Sequence, residues 1–450
     1  MPLKAQRLRS EEYAENFSDI HPPLTDTRAQ VESNRCLYCY DAPCTKACPT
    51  SIDVPHFIKQ ISSGNIKGSA HTILSANIMG AGCARVCPTE KLCEGACVLN
   101  GLHHEPIPIG LLQRHATDAA LRNNWKLFER KPSIGKKVAV VGAGPAGLAC
   151  AHALSCEGVD VTIFEKEQKS GGLMTYGIAA YKVTPEFCKD ETDFILNIGG
   201  IDVKYGQALG KDISLEKLEQ EYDAVFLAMG LGNTRRLDIP GEELAGVADA
   251  ISFIYDIRTK SSAEVAVGEK VAVIGMGMTA IDAATQSKRL GAREVTMVYR
   301  RTKNEMPCTQ KEFDLAMLDG CQVVWLAAPK KIEGKDGKVA ALVCDEMTLG
   351  KPDASGRRAP EPTGKTITLD VDMVIKATGQ IPFGGLFGKV ALENKGGKIT
   401  VNAMRQTSRP KIFAGGDCVN GGAEVVNAVQ DGKDAAKGIL KLVGIPGHGL

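Results

Sequence analysis

The stretch Lys137-Val-Ala-Val-Val-Gly142-Ala-Gly144-Pro-Ala-Gly147 decides the fold of this 450-residue chain. An apolar run precedes the G-x-G-x-x-G pattern, and a helical pattern follows it before a second strand, Val161-Thr-Ile-Phe-Glu165, that ends in an acid. These features are typical of a βαβ dinucleotide-binding unit, in which a helix N-terminus faces a pyrophosphate. Gly142 is expected to form the turn, Gly144 to let the backbone approach the pyrophosphate, and Gly147 to allow helix–strand contact. Glu165 is expected to accept hydrogen bonds from ribose hydroxyls.

The same pattern recurs at Val271-Ala-Val-Ile-Gly275-Met-Gly277-Met-Thr279-Ala280, followed by a helical pattern and the strand Val295-Thr-Met-Val-Tyr299. Tyr299 stands where the first unit has its acid, and Arg300 and Arg301 follow at once. A carboxylate at this place would repel a 2′-phosphate, whereas a guanidinium pairs with it. The second unit is therefore predicted to prefer NADP over NAD. The alternative is that both arginines are solvated charges at a strand end.

Three further stretches indicate that the second unit is inserted into the first. Leu227-Ala-Met-Gly230 and Ala377-Thr-Gly379 have the form of paired crossover points, and Ile412-Phe-Ala-Gly415-Gly416-Asp417 supplies a late strand to complete the first sheet. A charged, Gly-rich hairpin region at 330–365 and a final helix at 425–442 are also predicted. The fold class is thus α/β, with two Rossmann-like domains.

Cysteines are concentrated near the start of the chain, where eight of the fifteen lie between Cys36 and Cys97. Their first four follow the spacing C-x2-C-x4-C-x3-C-P, which differs from a ferredoxin run only by a longer middle gap. We interpret the group as iron–sulfur ligands, with structural zinc as the alternative. The candidates are Cys36, Cys39, Cys44, Cys48, Cys83, Cys87, Cys93 and Cys97.

Helical patterns alternate with these cysteines, so the first part of the chain is predicted to be an α-helical iron–sulfur domain. The predicted boundaries are 1–130 for this domain, 131–249 with 379–450 for the first dinucleotide-binding domain, and 250–378 for the second. Residues 1–35 are expected to be an arm that packs on the cysteine-containing residues after it.

The charge balance, 54 Lys and Arg against 53 Asp and Glu, leaves no basic excess for nucleic acid. The first residues lack the apolar region of a signal peptide, and no stretch has the length of a membrane span. We therefore expect a cytoplasmic protein with neither nucleic-acid nor membrane partners, in which clustered cysteines are more often metal ligands than disulfides.

Residues 137–450 resemble the two-dinucleotide-domain flavoprotein reductases. In those proteins the first unit holds FAD, the second holds NAD(P)H, and a late Gly-Asp reaches the flavin. Gly171-Gly172-Leu-Met-Thr-Tyr-Gly177-Ile resembles their flavin-side loop and contains no cysteine pair. Gly415-Gly416-Asp417 and Glu424-Val425-Val-Asn-Ala428 resemble their flavin-contacting segment. The resemblance implies cofactor contacts from Gly172, Lys182, Gly379, Gly416, Asp417 and Val425.

With the cysteine region included, the whole chain is similar to the electron-input portion of dihydropyrimidine dehydrogenase and to the separate bacterial subunit that does this job. It is more distantly similar to the small subunit of glutamate synthase. The stretch from Cys36 to Thr50 favours the pyrimidine enzyme. Two departures concern the nucleotide sites: Met278 replaces the family's acid, and Ala179 its proline.

The resemblance assigns Cys36, Cys39 and Cys44 to one 4Fe-4S cluster. It assigns Cys48, Cys87, Cys93 and Cys97 to the other. Spacing alone nominates Cys83 as the fourth ligand of the first cluster, whereas the family's glutamine falls on Gln113 of Ile109-Gly-Leu-Leu-Gln113. Gln113 is preferred.

The implied function is passage of electrons from NADPH through FAD and two 4Fe-4S clusters to a partner catalytic subunit that contains FMN. There, uracil and thymine would be reduced to 5,6-dihydropyrimidines by the hetero-oligomer. One alternative is the NADPH-oxidising small subunit of glutamate synthase. The other is a redox-inactive scaffold that retains the folds.

Overall fold

The structure, a computed structural model, describes residues 3–4, 7–352, 358–383 and 392–445. Contacts between residues divide the chain into two compact units. The main unit comprises the described residues within 20–175, 182–233 and 381–450. The insert unit comprises those within 1–19, 176–181 and 234–380.

Helices dominate the first part of the chain. In order they are α1 Ser10–Asn16, α2 Asp26–Asn34, α3 Pro43–Ala47, α4 Val54–Ser62, α5 Ile66–Ala76, α6 Gly80–Val86, the 3₁₀ helix Val98–Leu102 and α7 Ile109–Arg122. Apolar residues at helical spacing bury one face of α4, as the sequence predicted: Val54, Phe57, Ile58 and Ile61.

Strands and helices then alternate. The strands are β1 Lys137–Val141, β2 Asp160–Glu165, β3 Ile201–Tyr205, β4 Ala224–Leu227, β5 Val247–Asp249, β6 Lys270–Ile274, β7 Glu294–Tyr299, β8 Gln322–Trp325, β9 Ala327–Lys335, β10 Lys338–Pro352, β11 Arg358–Asp370, β12 Met373–Lys376, β13 Asn394–Lys395, β14 Lys398–Ile399 and β15 Ile412–Ala414. The helices are α8 Pro145–Cys156, α9 Leu173–Tyr176, α10 Pro185–Leu196, α11 Leu215–Glu221, α12 Ala250–Thr259, α13 Met278–Arg289, α14 Gln310–Leu318, α15 Asp417–Asn420 and α16 Val425–Leu442, with short 3₁₀ helices at Ser262–Glu264 and Lys303–Glu305.

Each unit is built on a parallel five-stranded sheet. The order is β15-β4-β1-β2-β3 in the main unit and β5-β12-β6-β7-β8 in the insert unit. The strands beside each glycine-rich loop are apolar and buried, as expected for parallel strands covered on both faces. The predicted α/β class with two Rossmann-like folds is confirmed. Strands β9, β10 and β11 form an antiparallel sheet of their own at the predicted hairpin region.

The chain returns to the first sheet after the insert unit. Strand β15 pairs in parallel with β4, with Ile412 opposite Val225. The boundaries differ from the predicted ones, because β5 pairs with β12 and so belongs to the second sheet. Residues 234–249, predicted in the first dinucleotide domain, therefore lie in the insert unit, and the returning boundary falls after Gln380.

The predicted arm of residues 1–35 is divided between the units: its described residues up to Asp19 belong to the insert unit, and residues 20–35 belong to the main unit. Tyr13 is buried in the core of the insert unit. Arg7 donates from Nη2 to the Val267 carbonyl at 2.8 Å, and Asn16 donates from Nδ2 to the Arg289 carbonyl at 2.9 Å. These are pairings across more than 250 residues of chain, which local patterns do not reveal.

None of the helices within the described ranges combines the length and the apolar character that crossing a lipid bilayer requires.

A buried histidine in the main unit makes stability depend on pH. His152 of α8 is 7% exposed and lies edge-on to Phe128, with 5.1 Å between ring centroids. Burial lowers the pKa of His152 to about 4 from 6.5. Because the pKa of His152 is lower in the folded state, this residue contributes to the free energy of unfolding fully above pH 6.5. The contribution is lost as pH falls towards 4, since between these values only the unfolded chain takes up the proton.

We expect His152→Leu to remove this part of the acid sensitivity. Relative to the variant, the wild-type protein should lose about 3 kcal/mol of unfolding free energy between pH 6.5 and 4. Urea unfolding across this pH range measures the difference. His56, which is exposed, offers a control in His56→Leu. Curves for His152→Leu and the wild type that run parallel would contradict the assignment.

Candidate functional site

The first glycine-rich loop has the backbone geometry that its sequence predicts. Gly142 has φ 103°, and a Cβ there would overlap the Ala228 carbonyl oxygen. A Cβ on Gly147 would overlap the Gly142 carbonyl oxygen, so helix α8 contacts the loop directly. Gly144 is the N-cap of α8, and no side chain caps this helix end. The first-turn N–H groups therefore remain available for an anion.

Glu165 supports this loop from the end of β2. Its carboxylate is 5% exposed and accepts the Ala143 N–H at 2.7 Å and the Glu167 N–H at 2.9 Å. Sequence reasoning predicted contacts with ribose hydroxyls for this residue. The structure shows in addition that Glu165 fixes the loop's own backbone.

The predicted flavin-side loop packs on the glycine-rich loop. Gly171 donates its N–H to the Ala143 carbonyl at 2.7 Å, and a Cβ on Gly172 would lie 2.8 Å from the Gly144 Cα. No residue larger than glycine fits this approach without a shift. Gly144 and Gly172 are thus brought together, as a shared cofactor site requires.

The late Gly-Asp segment reaches the same helix end. Gly416 has φ 73°, and a Cβ there would lie 3.2 Å from the Ala146 Cβ in the first turn of α8. The Gly416 N–H donates to Asp431 Oδ2 at 2.8 Å, and burial raises the pKa of Asp431. Asp417 follows, with its pKa raised by burial, and the half-buried Val425 begins α16. The structure therefore gathers Gly144, Gly172 and Gly416 around one uncapped helix N-terminus, which fits a dinucleotide.

The second glycine-rich loop repeats the first in detail within the insert unit. Gly275 has φ 136° and donates its N–H to the Val298 carbonyl at 3.0 Å, as Gly142 does to Phe164 at 2.8 Å. A Cβ on Gly275 would lie 2.6 Å from the Ala377 carbonyl oxygen. Gly277 is the N-cap of α13, which also lacks a side-chain cap. This helix end also fits a pyrophosphate.

Thr279 and Ala280 lie in the first turn of α13, half-buried and buried respectively. Gly379 is exposed, has φ 89° and follows β12, the strand next to this loop. It belongs to the insert unit, although it was predicted to open the returning part of the first domain.

The two arginines after β7 have different surroundings. Arg300 is exposed, whereas Arg301 is 7% exposed and donates from Nε to the Arg358 carbonyl at 3.2 Å. The interpretation of both as solvated charges is therefore wrong for Arg301. Tyr299 stands at the end of β7, where the first unit has the carboxylate of Glu165. The Tyr299 hydroxyl donates to the Glu305 carbonyl at 2.7 Å.

Ala179, which stands where the family has a proline, packs on helix α13 together with its neighbour Ala180. The Ala179 N–H donates to Asp282 Oδ2 at 3.1 Å, the Ala180 N–H donates to Gln286 Oε1 at 3.2 Å, and the Tyr181 hydroxyl contacts that of Thr285. These buried polar partners were missed, because nothing in a helical pattern distinguishes an inward polar residue from an outward one. Lys182, the predicted cation, is 6% exposed in the main unit.

The cysteine-rich region separates into two groups of thiols. In the first, the pKa of Cys44 is raised to about 11, by burial and then by its neighbours Cys36 and Cys97. Burial also raises the pKa of Cys36, and Cys39 and Cys97 add to this. Cys36, Cys39, Cys44 and Cys97 are therefore neighbours. The resemblance assigned Cys97 to the other cluster, and the assignment of single ligands stays a prediction.

In the second group, the pKa of Cys87 is raised by its hydrogen bond with Cys83 and by burial, and Cys93 and Cys48 add to this. Burial raises the pKa of Cys93 to about 12, with Glu94 and Cys48 next in effect and a smaller contribution from Cys44 of the first group. Cys93 lies in a turn of the chain, in which the Glu94 and Gly95 N–H groups both donate to the Thr89 carbonyl.

Both candidates for a further ligand lie at helix α6, which ends next to Cys87. Cys83 is on α6 next to Cys87, and its Sγ accepts from Asn77 Nδ2 at 3.2 Å. Gln113 is 7% exposed and donates from Nε2 to the Gly80 carbonyl at 2.6 Å, at the start of α6. Cys83 and Gln113 were predicted as alternatives for the cluster of Cys36, Cys39 and Cys44, and the choice between them stays a prediction.

The thiol chemistry fits iron–sulfur cores. Thiols that raise one another's pKa are poor anions by themselves, and metal coordination deprotonates them outright. Among the described residues, no three His, Cys, Asp or Glu side chains are close enough to hold a single metal ion.

One carboxylate near α6 was missed by sequence reasoning. Glu191 of α10 is 2% exposed, and its Oε1 accepts the Gly82 N–H at 2.6 Å. Burial raises the pKa of Glu191 to about 7, against the lowering effect of the Gly82 hydrogen bond and of Arg85. No local pattern marks this residue, because Glu191 lies among other acids in an ordinary amphipathic helix.

Two dinucleotide-binding folds with matched glycine loops, joined to a helical region with two groups of thiols, define a pyridine-nucleotide flavoprotein oxidoreductase with an iron–sulfur domain. Residues 136–432 match the family model for pyridine nucleotide-disulphide oxidoreductases. Residues 13–125 match the model for dihydropyrimidine dehydrogenase domain II, 4Fe-4S cluster. The chain belongs to the pyridine nucleotide-disulphide oxidoreductase family and carries this 4Fe-4S domain at its N-terminal side.

Curated relatives cover nearly the whole chain. The glutamate synthase (NADPH) small chain of Escherichia coli is 35% identical over 458 residues, covering 98% of this chain and 95% of that protein. The NAD-dependent dihydropyrimidine dehydrogenase subunit PreT of Escherichia coli is 35% identical over 427 residues, covering 94% and 97%. Mycobacterium tuberculosis FprA has a similar fold, with a TM-score of 0.58 and 22% identity over 70% of this chain and 85% of that one.

These comparisons confirm the predicted class. The chain is a NAD(P)H-dependent electron-transfer oxidoreductase, and the predicted cofactors, FAD, NADPH and 4Fe-4S clusters, are those of its family. Its relatives include subunits of multi-subunit enzymes. The individual cofactor contacts stay predictions.

Proposed function

We propose that this chain is the electron-input subunit of a cytoplasmic hetero-oligomer that reduces uracil and thymine to 5,6-dihydropyrimidines. NADPH binds at the loop of Gly275 and Gly277, and FAD at the loop of Gly142 and Gly144. A flavin accepts a hydride and releases its electrons singly, which is the chemistry needed between a nicotinamide and iron–sulfur clusters. Two 4Fe-4S clusters carry the electrons to a partner subunit that contains FMN.

The observation that supports this proposal is the presence, in one chain, of two matched dinucleotide loops and two separate groups of thiols. The glycine loops account for entry of electrons from a nicotinamide. The thiol groups account for their exit, since the flavin-side loop from Gly171 to Gly177 has no cysteine pair to reduce. Gln113, buried beside α6, supports the pyrimidine enzyme, whose family uses a glutamine at this place.

Arg301 favours a second candidate, the small subunit of glutamate synthase. Its buried guanidinium follows the strand whose end is the usual place of a 2′-phosphate in dinucleotide folds, which supports NADPH. The PreT relative is named as NAD-dependent, whereas the glutamate synthase relative is named with NADPH.

The partner's substrate separates these two functions. We expect the chain, purified with the subunit that accompanies it, to oxidise NADPH when uracil is added and not when glutamine plus 2-oxoglutarate are added. The reverse result would establish the glutamate synthase function. The isolated chain should reduce an artificial dye with NADPH but leave uracil unchanged. Uracil reduction by the isolated chain would show that no partner is needed, and absence of dye reduction would indicate a redox-inactive scaffold.

A further inference from the structure

Helix α6 is held within the main unit by residues of the first dinucleotide fold. It carries Cys83, and Cys87 is its C-cap residue, so it presents thiols of the second group. No side chain of its own N-cap residue, Met79, caps the helix. Instead the Glu191 carboxylate of helix α10 accepts the Gly82 N–H at 2.6 Å. A buried carboxylate thus satisfies one N–H group in the first turn of a helix more than 100 residues away.

Gly82 lies between Glu191 and the flavin-side loop. A Cβ on Gly82 would be 2.6 Å from Glu191 Oε2 and 2.6 Å from the Met174 Cε. Met174 belongs to α9 in the flavin-side loop, and its carbonyl accepts from the Cys188 thiol of α10 at 3.2 Å. A larger residue at this position would have to displace the ends of both the Glu191 and the Met174 side chains.

A second contact fixes the same helix along its length. The Arg85 guanidinium lies 3.6 Å from the centre of the Phe187 ring of α10, and Arg85 pairs with Asp118 of α7 at 2.8 Å. Both Arg85 and Asp118 have side chains less than 20% exposed. Helix α6 is therefore held at two points by α10, at Gly82 and at Arg85.

We propose that Glu191 and Gly82 are positioning residues that hold the thiol-bearing helix α6 against the flavin-side loop, at the place where electrons leave the flavin for the iron–sulfur domain. This inference rests on the proposed route from NADPH through FAD to the clusters. For each NADPH oxidised to NADP⁺ and a proton, two electrons cross this contact one at a time. Each electron reduces one cluster by one unit of charge. Neither side chain exchanges a proton or electron itself.

The test separates flavin reduction from cluster reduction in the full chain with its cofactors. After rapid mixing with NADPH, bleaching of the flavin absorbance reports hydride transfer, and freeze-quenched electron paramagnetic resonance reports cluster reduction. Gly82→Ala is expected to slow cluster reduction about tenfold or more, since small displacements between reacting groups have effects of this order. The rate of flavin reduction and the iron content of the protein should each stay within about twofold of the wild-type value. Gly101→Ala is the matched control, because its Cβ meets nothing within 4 Å in the same helical region.

Glu191 provides variants that keep the proposal falsifiable if Gly82→Ala fails to fold. Glu191→Gln retains an oxygen acceptor for the Gly82 N–H and should reduce its clusters at the wild-type rate. Glu191→Ala removes the acceptor, so it should slow cluster reduction and speed hydrogen exchange of the Gly82 amide. Glu186→Gln, an exposed change on the same helix, controls for charge.

The proposal would be overturned if Glu191→Ala reduced its clusters at the wild-type rate, or if its Gly82 amide exchanged hydrogen at the wild-type rate. It would also be overturned if flavin reduction slowed as much as cluster reduction. Clusters that NADPH fails to reduce in the wild-type chain would instead refute the proposed function. In that case the hydrogen-exchange result still decides whether Glu191 holds α6.

Discussion

Replacing Gly277 by Ala is expected to weaken NADPH binding strongly while leaving FAD bound and the thermal unfolding temperature of the cofactor-free chain unchanged. Gly277 has φ −84° and ψ 174°, values open to any residue, and a Cβ there meets no atom within 4 Å. The added methyl group therefore costs nothing in the chain itself. It occupies the space that the proposed site gives to the pyrophosphate. Overpacking of ~1–3 kcal/mol corresponds to ~5- to 150-fold in affinity.

Gly144→Ala is the matched change in the first loop. Its φ is −79°, and its Cβ would make an ordinary contact of 3.8 Å with the Gly172 Cα. We expect this variant to fold and to lose FAD while still binding NADPH, so that each variant controls for the other. Flavin content after purification and NADPH titration by fluorescence measure the two effects.

Gly275→Ala serves as a comparison for Gly277→Ala, because a side chain at Gly275 would strain the backbone of the chain itself. With φ 136° and a Cβ 2.6 Å from the Ala377 carbonyl oxygen, this variant should lose both stability and NADPH binding. Wild-type NADPH affinity in Gly277→Ala would show that the nucleotide binds elsewhere.

Replacing Arg300 and Arg301 together is expected to weaken NADPH binding far more than NADH binding. Each charge-assisted hydrogen bond to a phosphate contributes ~1.5–3 kcal/mol, which is ~10- to 150-fold in affinity. NADH lacks the 2′-phosphate and should be nearly unaffected. Dissociation constants for both nucleotides, measured on the same preparations, provide the comparison, and an equal loss for both would refute the 2′-phosphate role.

Single variants distinguish the two arginines. Arg300 is exposed, so Arg300→Gln should change NADPH affinity without changing stability. Arg301 donates to the Arg358 carbonyl from a buried position, so Arg301→Gln should also lower the unfolding temperature. Arg301→Lys retains the charge but loses the planar fork, and we expect it to restore NADPH binding only in part. Full recovery with lysine would show that charge alone is recognised.

Much of the fold was predictable because its signals are local. The two glycine loops, the strands beside them and the final helix at Val425–Leu442 follow from apolar runs, glycine spacing and helical periodicity, all read within about thirty residues of chain. The backbone of Gly142 and Gly275 behaves as these signals predict, since the positive φ and the close carbonyl allow no side chain. The domain boundaries were less accurate, because membership of β5 in a sheet depends on a partner strand far along the chain.

The sequence by itself determined the residue types that carry the chemistry: two dinucleotide loops, a pair of arginines in place of an acid, and a concentration of cysteines. Only the tertiary structure decided which of them are neighbours. It places Cys97 with Cys36 and Cys44, buries Arg301 but not Arg300, and seats Glu191 on the Gly82 N–H. The physical reason is that spacing along the chain limits how near two residues can be, whereas turns and packing over a hundred residues or more determine how near they are.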